Sequence, residues 1–346
     1  LNALNIKIDD KQSQKIETAL VKKEEEKKDK FKFYAVYWLE KKKFEVKNST
    51  YCNYANLLKN NIIPILGEVR FYELSGEILQ FFVYKAQGEN QLSVKTTKDC
   101  LGVIKQIIAD GQEQGIIPQF TYPKRKIKYK KQELIGSEKK TYTEEEYKKI
   151  INAILQQIDN KKAGILLGLY TGMRIGEILA LRPSDIHISG NIGSIEVKRT
   201  LTKDIHGKVI IGEVTKTKNG LRTIDLTPLA VPIIQKALAQ YKQNKYDVLF
   251  SQANGKFYTD GQVNSAFKII CKNVGLRVVT LKHKKVGKNK GIHYVNYKSS
   301  DSHTHMLRHT FATRLCESTS NLKAIQDIMG HANIETTMDI YAEATV

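Results

Sequence analysis

The sequence predicts a mainly α-helical protein with a small antiparallel β-sheet, divided into two domains. Apolar residues recur at helical spacing through most of the chain, as they do in amphipathic helices. After Gly193 the pattern changes to alternation, in short runs rich in Val, Ile and Thr that indicate strands. The length of 346 residues is typical of about two domains. Together these observations predict a helical domain followed by a mixed α+β domain.

The first domain lies in the N-terminal third of the chain. Residues 1 to 30 are polar and dense in charge, so we expect a solvated helix or a tether there. Residues 31 to 120 carry four helical segments, and Ser75 and Ser93 stand where the N-caps of the third and fourth would lie. Four helices of this length predict a small helical domain.

A basic stretch that is poor in apolar residues connects the two domains. We assign residues 121 to 140 to this interdomain linker. Such a run is either merely solvated or a surface for a polyanion. Its positive charge is concentrated at Lys124, Arg125, Lys126 and Lys128.

The second domain, residues 141 to 346, opens with a strong helix signal. Thr143 and Glu146 have the spacing of a capping box. The helical pattern is then interrupted by a glycine, resumes at Arg174 and is expected to end before Pro183.

Strands and a hairpin follow in this domain. The segments SIEVKRTL, KVIIGEV and LRTIDLT predict three strands of one antiparallel sheet. Two helices are then expected over residues 231 to 244 and 262 to 274. Residues 277 to 302 predict an inserted β-hairpin, because RVVTLK and IHYVNYK flank the Gly- and Lys-rich turn VGKNKG.

The C-terminal region predicts three helices. The first carries His305 and Arg308, which are three residues apart and therefore share one face. The second, Leu322 to Met329, ends at Gly330, a residue type that tolerates the left-handed turn at a helix end. This turn places His331 on a corner.

Asn333 can cap the third of these helices. Ile334, Met338 and Tyr341 fall at i, i+4 and i+7, so we expect them on one inward-facing stripe. Two histidines, an arginine and a tyrosine can therefore converge.

The charge of the chain points to a polyanionic partner. It contains 56 Lys and Arg against 36 Asp and Glu, a net charge of +20, and nucleic acid is the leading candidate. An anionic membrane is the rival, but no apolar run approaches the ~20 residues of a spanning helix. The four cysteines lack C-x-x-C spacing and predict reduced, buried thiols of a cytoplasmic protein.

An upstream segment strengthens the C-terminal pattern. The segment TGMRIGEILAL places Arg174 and Glu177 three apart on one helical face. Taken singly, each candidate has an ordinary explanation, such as a rim tyrosine, a solvated histidine or a helix-surface ion pair for Glu177. The joint spacing favours one site.

With these motifs the chain resembles the tyrosine recombinase (phage integrase) family, especially the integrases of phages and conjugative transposons. The resemblance is strong over residues 140 to 346 and weak before them. It rests on the family's T-G-M-R-x-x-E-x-L, H-x-L-R-H and G-H motifs and its nucleophilic tyrosine, which match here at Arg174, His305, Arg308, His331 and Tyr341.

The resemblance implies a site-specific recombinase that cuts and rejoins DNA through a 3′-phosphotyrosine, and so integrates and excises a mobile element. Tyr341 would be the nucleophile, and Arg174 and Arg308 would bind the phosphate oxygens. His305 would act as the base, and His331 would hydrogen-bond to the phosphate.

Two further residues receive roles from the resemblance. The hairpin at TKTKNG would supply a lysine that protonates the leaving oxygen, with Lys216 as the first choice and Lys218 as the alternative. Glu177 would orient the basic cluster.

The resemblance also implies domain roles and partners. The helical domain would be a core-binding domain that clamps a DNA duplex, and the linker would cross the phosphate backbone. The partners would be double-stranded recombination sites, a homo-tetramer assembled on DNA, and accessory DNA-bending or directionality factors. The hairpin at 277 to 302 would add a DNA contact or a protein contact. No metal, cofactor or membrane is implied, the expected location is the bacterial cytoplasm in association with the nucleoid, and an arm-binding domain upstream is left open.

Three other functions fit parts of the pattern. A metal-dependent nuclease would use His303, His305 and His309 with His331, but neighbouring arginines would repel the metal and no paired carboxylates accompany these histidines. A type IB topoisomerase shares the chemistry and acts on one duplex. A catalytically inactive architectural DNA-binding protein is the third, and the intact set of candidate residues argues against it.

Overall fold

The computed structural model describes residues 30–116, 127–130, 141–213, 221–286, 292–331 and 333–344, with the backbone alone at 279–286, 292–298 and 343–344. The chain divides into two compact units, Leu1–Gly136 with Lys203–Lys208 and Ser137–Thr202 with Val209–Val346. Among the described helices, none combines the length and the apolar character needed to cross a membrane.

The first unit is a helical bundle whose third and fourth predicted helices begin at the predicted caps. Ser75 Oγ accepts from the backbone N of Ile78 at 3.3 Å, and Ser93 Oγ accepts from that of Thr96 at 3.0 Å. The predicted second helix is divided by a π-helical turn. The elements are α1 Phe31–Glu45, α2 Asn48–Leu57, the π turn Leu58–Ile62, α3 Ile63–Leu66, a 3₁₀ turn Phe71–Glu73, α4 Gly76–Gly88 and α5 Val94–Glu113.

Large apolar side chains from these helices form the core of the first unit. Trp38 of α1, Phe82 of α4 and Ile104 of α5 are fully buried. Phe31 stacks on Phe71 with the ring centroids 5.6 Å apart. Full burial of a side chain of this size stabilises the folded state by about 1.5–3 kcal/mol. The four predicted segments thus form a bundle with its own core.

Part of the predicted linker is docked on this bundle. The Gln80 side chain accepts from the backbone N of Lys128 and donates to its carbonyl, both at 2.8 Å. Gln87 Oε1 accepts from the backbone N of Lys130 at 2.9 Å. The segment 127–130 is therefore held against α4 by its backbone, while Lys124, Arg125 and Lys126 lie outside the described residues.

The second unit opens with the capping box that the sequence predicts. Thr143 Oγ1 accepts from the backbone N of Glu146 at 3.2 Å, and the Glu146 carboxylate accepts from that of Thr143 at 2.8 Å. The helices that follow are α6 Glu144–Leu155, α7 Asn160–Thr171, α8 Ile175–Ile178, α9 Val231–Ala239, α10 Asp260–Asn273, α11 His305–Ser318, α12 Leu322–Met329 and α13 Ile334–Ala344, with a 3₁₀ turn at Pro183–Asp185.

Helix α7 lies in the middle of the core of this unit. Ile165 and Leu166 of α7, Phe267 of α10, and Met306 and Leu307 of α11 are all buried in one cluster. The four cysteines of the chain are free and buried, as the sequence predicts. Helix α7 therefore packs against both chain segments that carry the predicted basic residues, the one that follows Arg174 and the one that begins at His305.

The strands form more than the one sheet that the sequence predicts. The segment predicted as a single strand, SIEVKRTL, is broken at Lys198 into β2 and β3, which belong to different sheets. β1 was missed, and β2 pairs antiparallel with both β1 and β5. β3 pairs with β4 in a second ladder. The strands are β1 Ile186–Ser189, β2 Ile192–Val197, β3 Arg199–Lys203, β4 Val209–Glu213 and β5 Arg222–Asp225.

Helix α9 is shorter than the predicted 231–244. It ends at Ala239, and the chain then turns around the side chain of Asn244. Asn244 Oδ1 accepts from the backbone N of Tyr246 and of Val248, each at 3.2 Å, and Nδ2 donates to the Val248 carbonyl at 2.9 Å. Asparagine competes with helical bonding in this way, which explains the early end.

The segment predicted as an inserted hairpin forms two antiparallel strands, β6 Val278–Val286 and β7 Ile292–Ser300. Its base is closed by an ion pair between Arg277 and Asp301, with Nε 2.8 Å from Oδ1. Ser300 Oγ donates to the Leu276 carbonyl at 3.0 Å. The hairpin is therefore fixed at its base to the end of α10.

Candidate active site

Arg174 lies at the entrance to α8 and not within a helix. Before it, α7 ends at Gly172, which has a left-handed backbone (φ 64°) and where a Cβ would meet Phe311 Cδ1 at 2.3 Å. Arg174 is extended (φ −67°, ψ 141°) and precedes a helix of only four residues. The predicted helix from Arg174 to Pro183 is therefore wrong, because the glycine turn and the extended arginine leave room for a single helical turn.

Glu177 is a carboxylate, 3% exposed, that binds two arginines. It accepts from Arg174 Nη1 at 2.9 Å, and from Arg222 Nη1 and Nη2 at 3.1 and 2.7 Å. Burial raises the pKa of Glu177, but the bonds and charge of Arg222, followed by the charge of Arg174, outweigh it and hold the pKa below its ordinary value. This burial excludes a helix-surface ion pair.

Arg308 is also buried, at 4% exposure, and its guanidinium is held by backbone carbonyls. Nη1 donates to the Gly172 carbonyl at 2.8 Å, and Nη2 donates to that of Met329. Burial, followed by the charge of Arg174, lowers the pKa of Arg308 to about 9. This value is still above neutral pH, so the group stays charged.

The C-terminal turn of α12 offers three consecutive carbonyl oxygens to three different arginines. The last carbonyls of a helix lack intrahelical partners and carry the negative end of its dipole, so they suit cations. The turn ends at Gly330 in the left-handed conformation, as the sequence predicts (φ 64°). The donor and acceptor pairs are Arg222 Nε with Ile328 O at 3.2 Å, Arg308 Nη2 with Met329 O, and Arg174 Nη2 with Gly330 O at 3.2 Å.

His305 is the first residue of α11 and presents an exposed edge next to the arginines. Its ring meets that of His309 edge to face, with the centroids 4.7 Å apart. Desolvation by the surrounding protein, followed by the positive charges of His309 and Arg308, lowers the pKa of His305 to about 4. The imidazole is therefore neutral at pH 7 and able to accept a proton.

His331 is buried at the corner after α12. Its Nδ1 lies 2.9 Å from Thr337 Oγ1 of α13, and its backbone N and O bond to Gln326 at 3.2 and 3.1 Å. Burial, followed by the charges of Arg308 and Arg174, lowers the pKa of His331 to about 4. Its ring is thus neutral at pH 7 and fixed between two helices.

This depressed pKa of His331 predicts a pH dependence of stability. The unfolded chain takes up a proton at His331 near its ordinary pKa of 6.5, and the folded chain does so only near 4. Between these values the unfolded state binds more protons, so the free energy of unfolding should fall as the pH is lowered, by at most about 1.4 kcal/mol per pH unit for one site. Urea denaturation from pH 7.5 to 4 measures the slope. His331→Gln should flatten it, and an unchanged slope would contradict the assignment.

Tyr341 lies on α13, which packs against α11 and α12. A satellite core joins the three helices, and Tyr341 is half-buried at its edge. The prediction for Met338 is wrong, because this side chain is 50% exposed while Thr337 and Ile340 are buried. The buried face of α13 therefore includes Thr337 and Ile340, one residue before each of the predicted positions Met338 and Tyr341. Tyr341 lies at the edge of this buried face.

Of the predicted site residues, Arg174, Glu177, His305, Arg308 and His331 are brought together in one cluster. Tyr341 lies on the helix that begins three residues after His331. Lys216 and Lys218 lie outside the described residues, as do three of the four predicted linker cations. Among the residues that the structure describes, no group of His, Cys, Asp and Glu could hold a metal ion.

Arg222 is a member of this cluster that sequence reasoning missed. A signal was nevertheless available. Arg222 and Ile224 are two apart on β5 and so share one face, and Ile224 is buried. An arginine on the inward face of a strand requires a charged or polar partner, which is Glu177 here.

Comparisons with known proteins agree with this fold. Residues 140–346 match the model of the phage integrase family, and residues 30–85 match the phage integrase N-terminal SAM-like domain. A XerC-like tyrosine recombinase of Caldanaerobacter subterraneus subsp. tengcongensis is 26% identical over 302 residues, 84% of this chain and 71% of that protein. The transposase from transposon Tn916 of Enterococcus faecalis is 30% identical over 188 residues, 52% of this chain and 42% of the transposase. This chain therefore matches less than half of that transposase.

Solved structures show the same fold. The Tn1549 transposon integrase in complex with a circular intermediate DNA superposes with a TM-score of 0.68 at 21% identity, covering 90% of this chain and 96% of that one. A lambda integrase dimer bound to a COC′ core site gives a TM-score of 0.60 at 16% identity, covering 89% of this chain and 76% of that one.

Proposed function

This chain belongs to the phage integrase family and is a tyrosine recombinase, and we propose that it is the site-specific recombinase of a mobile element. In this proposal it cuts and rejoins double-stranded DNA through a covalent bond between Tyr341 and a 3′ phosphate. The transposon proteins among its relatives support the assignment to a mobile element.

One observation carries the proposal. Two guanidinium groups, those of Arg174 and Arg222, bond to the buried carboxylate of Glu177, and the charge of a third, Arg308, also acts on it. All three are aimed by the carbonyls at the end of α12. This arrangement leaves a net positive charge beside neutral His305 and His331. A phosphodiester that passes through a five-coordinate transition state gains negative charge, and fixed guanidinium groups stabilise it.

The chemistry follows from these positions. The Tyr341 hydroxyl attacks the phosphorus, and the bond from phosphorus to the 5′ oxygen breaks. The ordinary pKa of tyrosine is about 10, so a base must take its proton at neutral pH, and the neutral ring of His305 suits this role. Lys216, or Lys218, would protonate the departing 5′ oxygen. The phosphotyrosine preserves the bond energy, and attack by a second 5′ hydroxyl rejoins the strand.

Arg174 and Arg308 have different exposures in this scheme. The Arg174 side chain is 44% exposed and can contact a ligand from solvent, whereas Arg308 is almost fully buried. Arg308 would therefore bind the phosphate at the floor of the site and Arg174 at its rim. His331, fixed by Thr337, would hydrogen-bond to the same phosphate.

A nicked suicide duplex from the ends of the source element tests the proposal. The nick lets the cut strand fragment diffuse away and so traps the phosphotyrosine, which is seen as a covalent adduct on a denaturing gel. We expect an adduct without added metal or ATP. If no end sequence gives one, the protein is an inactive DNA-binding relative. Relaxation of a supercoiled plasmid without strand exchange would instead indicate topoisomerase activity.

We further propose that the helical unit is the core-binding domain and that the linker crosses the DNA backbone. Replacing Lys124, Arg125, Lys126 and Lys128 with Ala should weaken binding to all DNA sequences alike. The salt dependence should flatten by up to about 0.9 unit of log–log slope for each phosphate that the protein no longer neutralises. Fluorescence anisotropy at several salt concentrations measures both effects.

A matched control for the linker removes lysines that already pair with carboxylates. Four such lysines, Lys42, Lys85, Lys148 and Lys323, are paired with Glu45, Glu89, Glu144 and Asp327. Their replacement by Ala should change the salt slope less than the linker substitutions do. An equal change in both variants would show that only the net charge matters and that the linker is a tether.

The proposed assembly is a homo-tetramer formed on DNA, with accessory DNA-bending or directionality factors as further partners. Each protomer cuts one strand, so an exchange between two duplexes needs four. The net charge of +20 opposes self-association until DNA neutralises it. Light scattering should therefore show a monomer in the free protein and a higher-order complex with site DNA. A stable tetramer at moderate salt without DNA would contradict this prediction.

A further inference from the structure

The side chain of Arg222 is only 6% exposed and makes three hydrogen bonds. Nη1 and Nη2 donate to the Glu177 carboxylate at 3.1 and 2.7 Å, and Nε donates to the Ile328 carbonyl at 3.2 Å. We propose that Arg222 is a positioning residue for DNA cleavage, which holds Glu177 and the end of α12 so that Arg174 and Arg308 keep their geometry. This inference rests on the proposed function and deepens it.

The bonds of Arg222 fix the C-terminal turn of α12. A guanidinium is planar, so two bonds to a carboxylate and a third to a carbonyl leave it one orientation. The turn that it holds also presents the Met329 and Gly330 carbonyls to the other two arginines. A displacement of this turn would therefore move both phosphate-binding groups together.

Arg222 also affects whether the Arg174 guanidinium can bind a phosphate. Glu177 is buried and accepts from both arginines. A buried carboxylate that loses one cationic partner is strongly destabilised. Without Arg222 it would draw the partly exposed Arg174 guanidinium inward, away from a phosphate at the rim. Arg222 thus satisfies Glu177 and leaves Arg174 free to bind DNA.

Two variants of this residue test the inference by the rate of adduct formation on a saturating suicide duplex. Arg222→Met keeps an unbranched stem and removes the charge and the donors, and Arg222→Lys keeps the charge without the planar fork. We expect Arg222→Met to lower the rate by about 10- to 100-fold with a nearly unchanged Kd for DNA, because catalytic groups would be misplaced. Arg222→Lys should be intermediate. The control Arg277→Met removes an arginine paired with Asp301 outside the cluster and should cut at the wild-type rate.

A second readout separates positioning from a merely structural role. The charged groups that face Glu177 are Arg174 from its own turn, Arg222 from β5 and Arg308 from α11, while α12 contributes carbonyls. Burial raises the pKa of Glu177 and Arg222 lowers it, so the pKa should rise when Arg222 is removed. The carboxyl ¹³C shift of Glu177 would then titrate at a higher pH. The cleavage rate should also begin to fall, on acidification, at a higher pH than in the wild type.

The outcomes are distinct. Wild-type cleavage by Arg222→Met, or an unchanged titration of Glu177 in a folded variant, would overturn the inference. If Arg222→Met does not fold, Arg222→Lys supports the inference with an intermediate rate and overturns it with a wild-type rate. If the wild-type protein itself forms no adduct, the proposed function fails. The titration needs no DNA and still decides whether Arg222 holds Glu177.

Discussion

Tyr341→Phe is expected to abolish the covalent adduct with DNA while leaving DNA binding nearly intact. The substitution removes the hydroxyl oxygen that would bond to phosphorus, so no phosphotyrosine can form. The phenyl ring remains at the edge of the satellite core, so folding should be preserved. Affinity comes mainly from lysine and arginine contacts with phosphates and should change little.

A suicide duplex on a denaturing gel, alongside a binding titration, measures both parts of this prediction. Tyr241→Phe is the matched control, because it removes another tyrosine hydroxyl of the same unit, one that donates to Asp247 at 2.6 Å. This control should form the adduct at the wild-type rate. An adduct that persists in Tyr341→Phe would show that Tyr341 is not the nucleophile and that another residue forms the bond to DNA.

The helices and their ends were largely predictable because their signals are local. Ser75, Ser93 and Thr143 cap helices through bonds made within three residues, and a left-handed glycine ends α12 where the sequence places it. The strands were less predictable. Strand pairing is set by tertiary contacts, so nothing local revealed the break at Lys198 that sends β2 and β3 to different sheets.

The sequence predicted that Arg174, Glu177, His305, Arg308 and His331 would come together, but it missed Arg222 and did not predict the geometry of the cluster. Arg174 was expected on a helical face with Glu177, and it lies instead in extended backbone before a single turn. The arginines are aimed by carbonyls of residues far away in the chain, such as Gly172 for Arg308. Backbone acceptors leave no mark in a sequence, because every residue carries a carbonyl.

The error at Met338 has the same origin. The i, i+4, i+7 spacing correctly predicted a helix, but it did not determine which side of that helix faces inward. The inward side includes Thr337, a polar residue whose hydroxyl lies next to the buried ring of His331. A hydrophobic pattern does not predict the burial of a polar residue such as Thr337, whose hydroxyl pairs with a histidine ring.

The second large effect is expected for Arg308→Lys, which keeps the charge and removes the planar fork. Arg308 uses two nitrogens on the carbonyls of Gly172 and Met329. A lysine offers a point charge on a flexible stem and cannot reproduce this paired geometry. At least one buried carbonyl would be left unpaired, at a cost of about 1–3 kcal/mol in stability. A fixed donor aimed at the developing charge would also be removed, which lowers rates by about 10²–10³-fold.

Arg308→Lys is therefore expected to bind DNA but to form the adduct at least about 10²-fold more slowly. Single-turnover cleavage at saturating suicide duplex gives the rate, and chemical denaturation gives the stability. The matched control is Arg277→Lys, which makes the same change at the Asp301 ion pair and should leave both quantities nearly unchanged. A cleavage rate close to wild type in Arg308→Lys would show that Arg308 only fills and braces the core. The phosphate would then have to be stabilised by the more exposed Arg174.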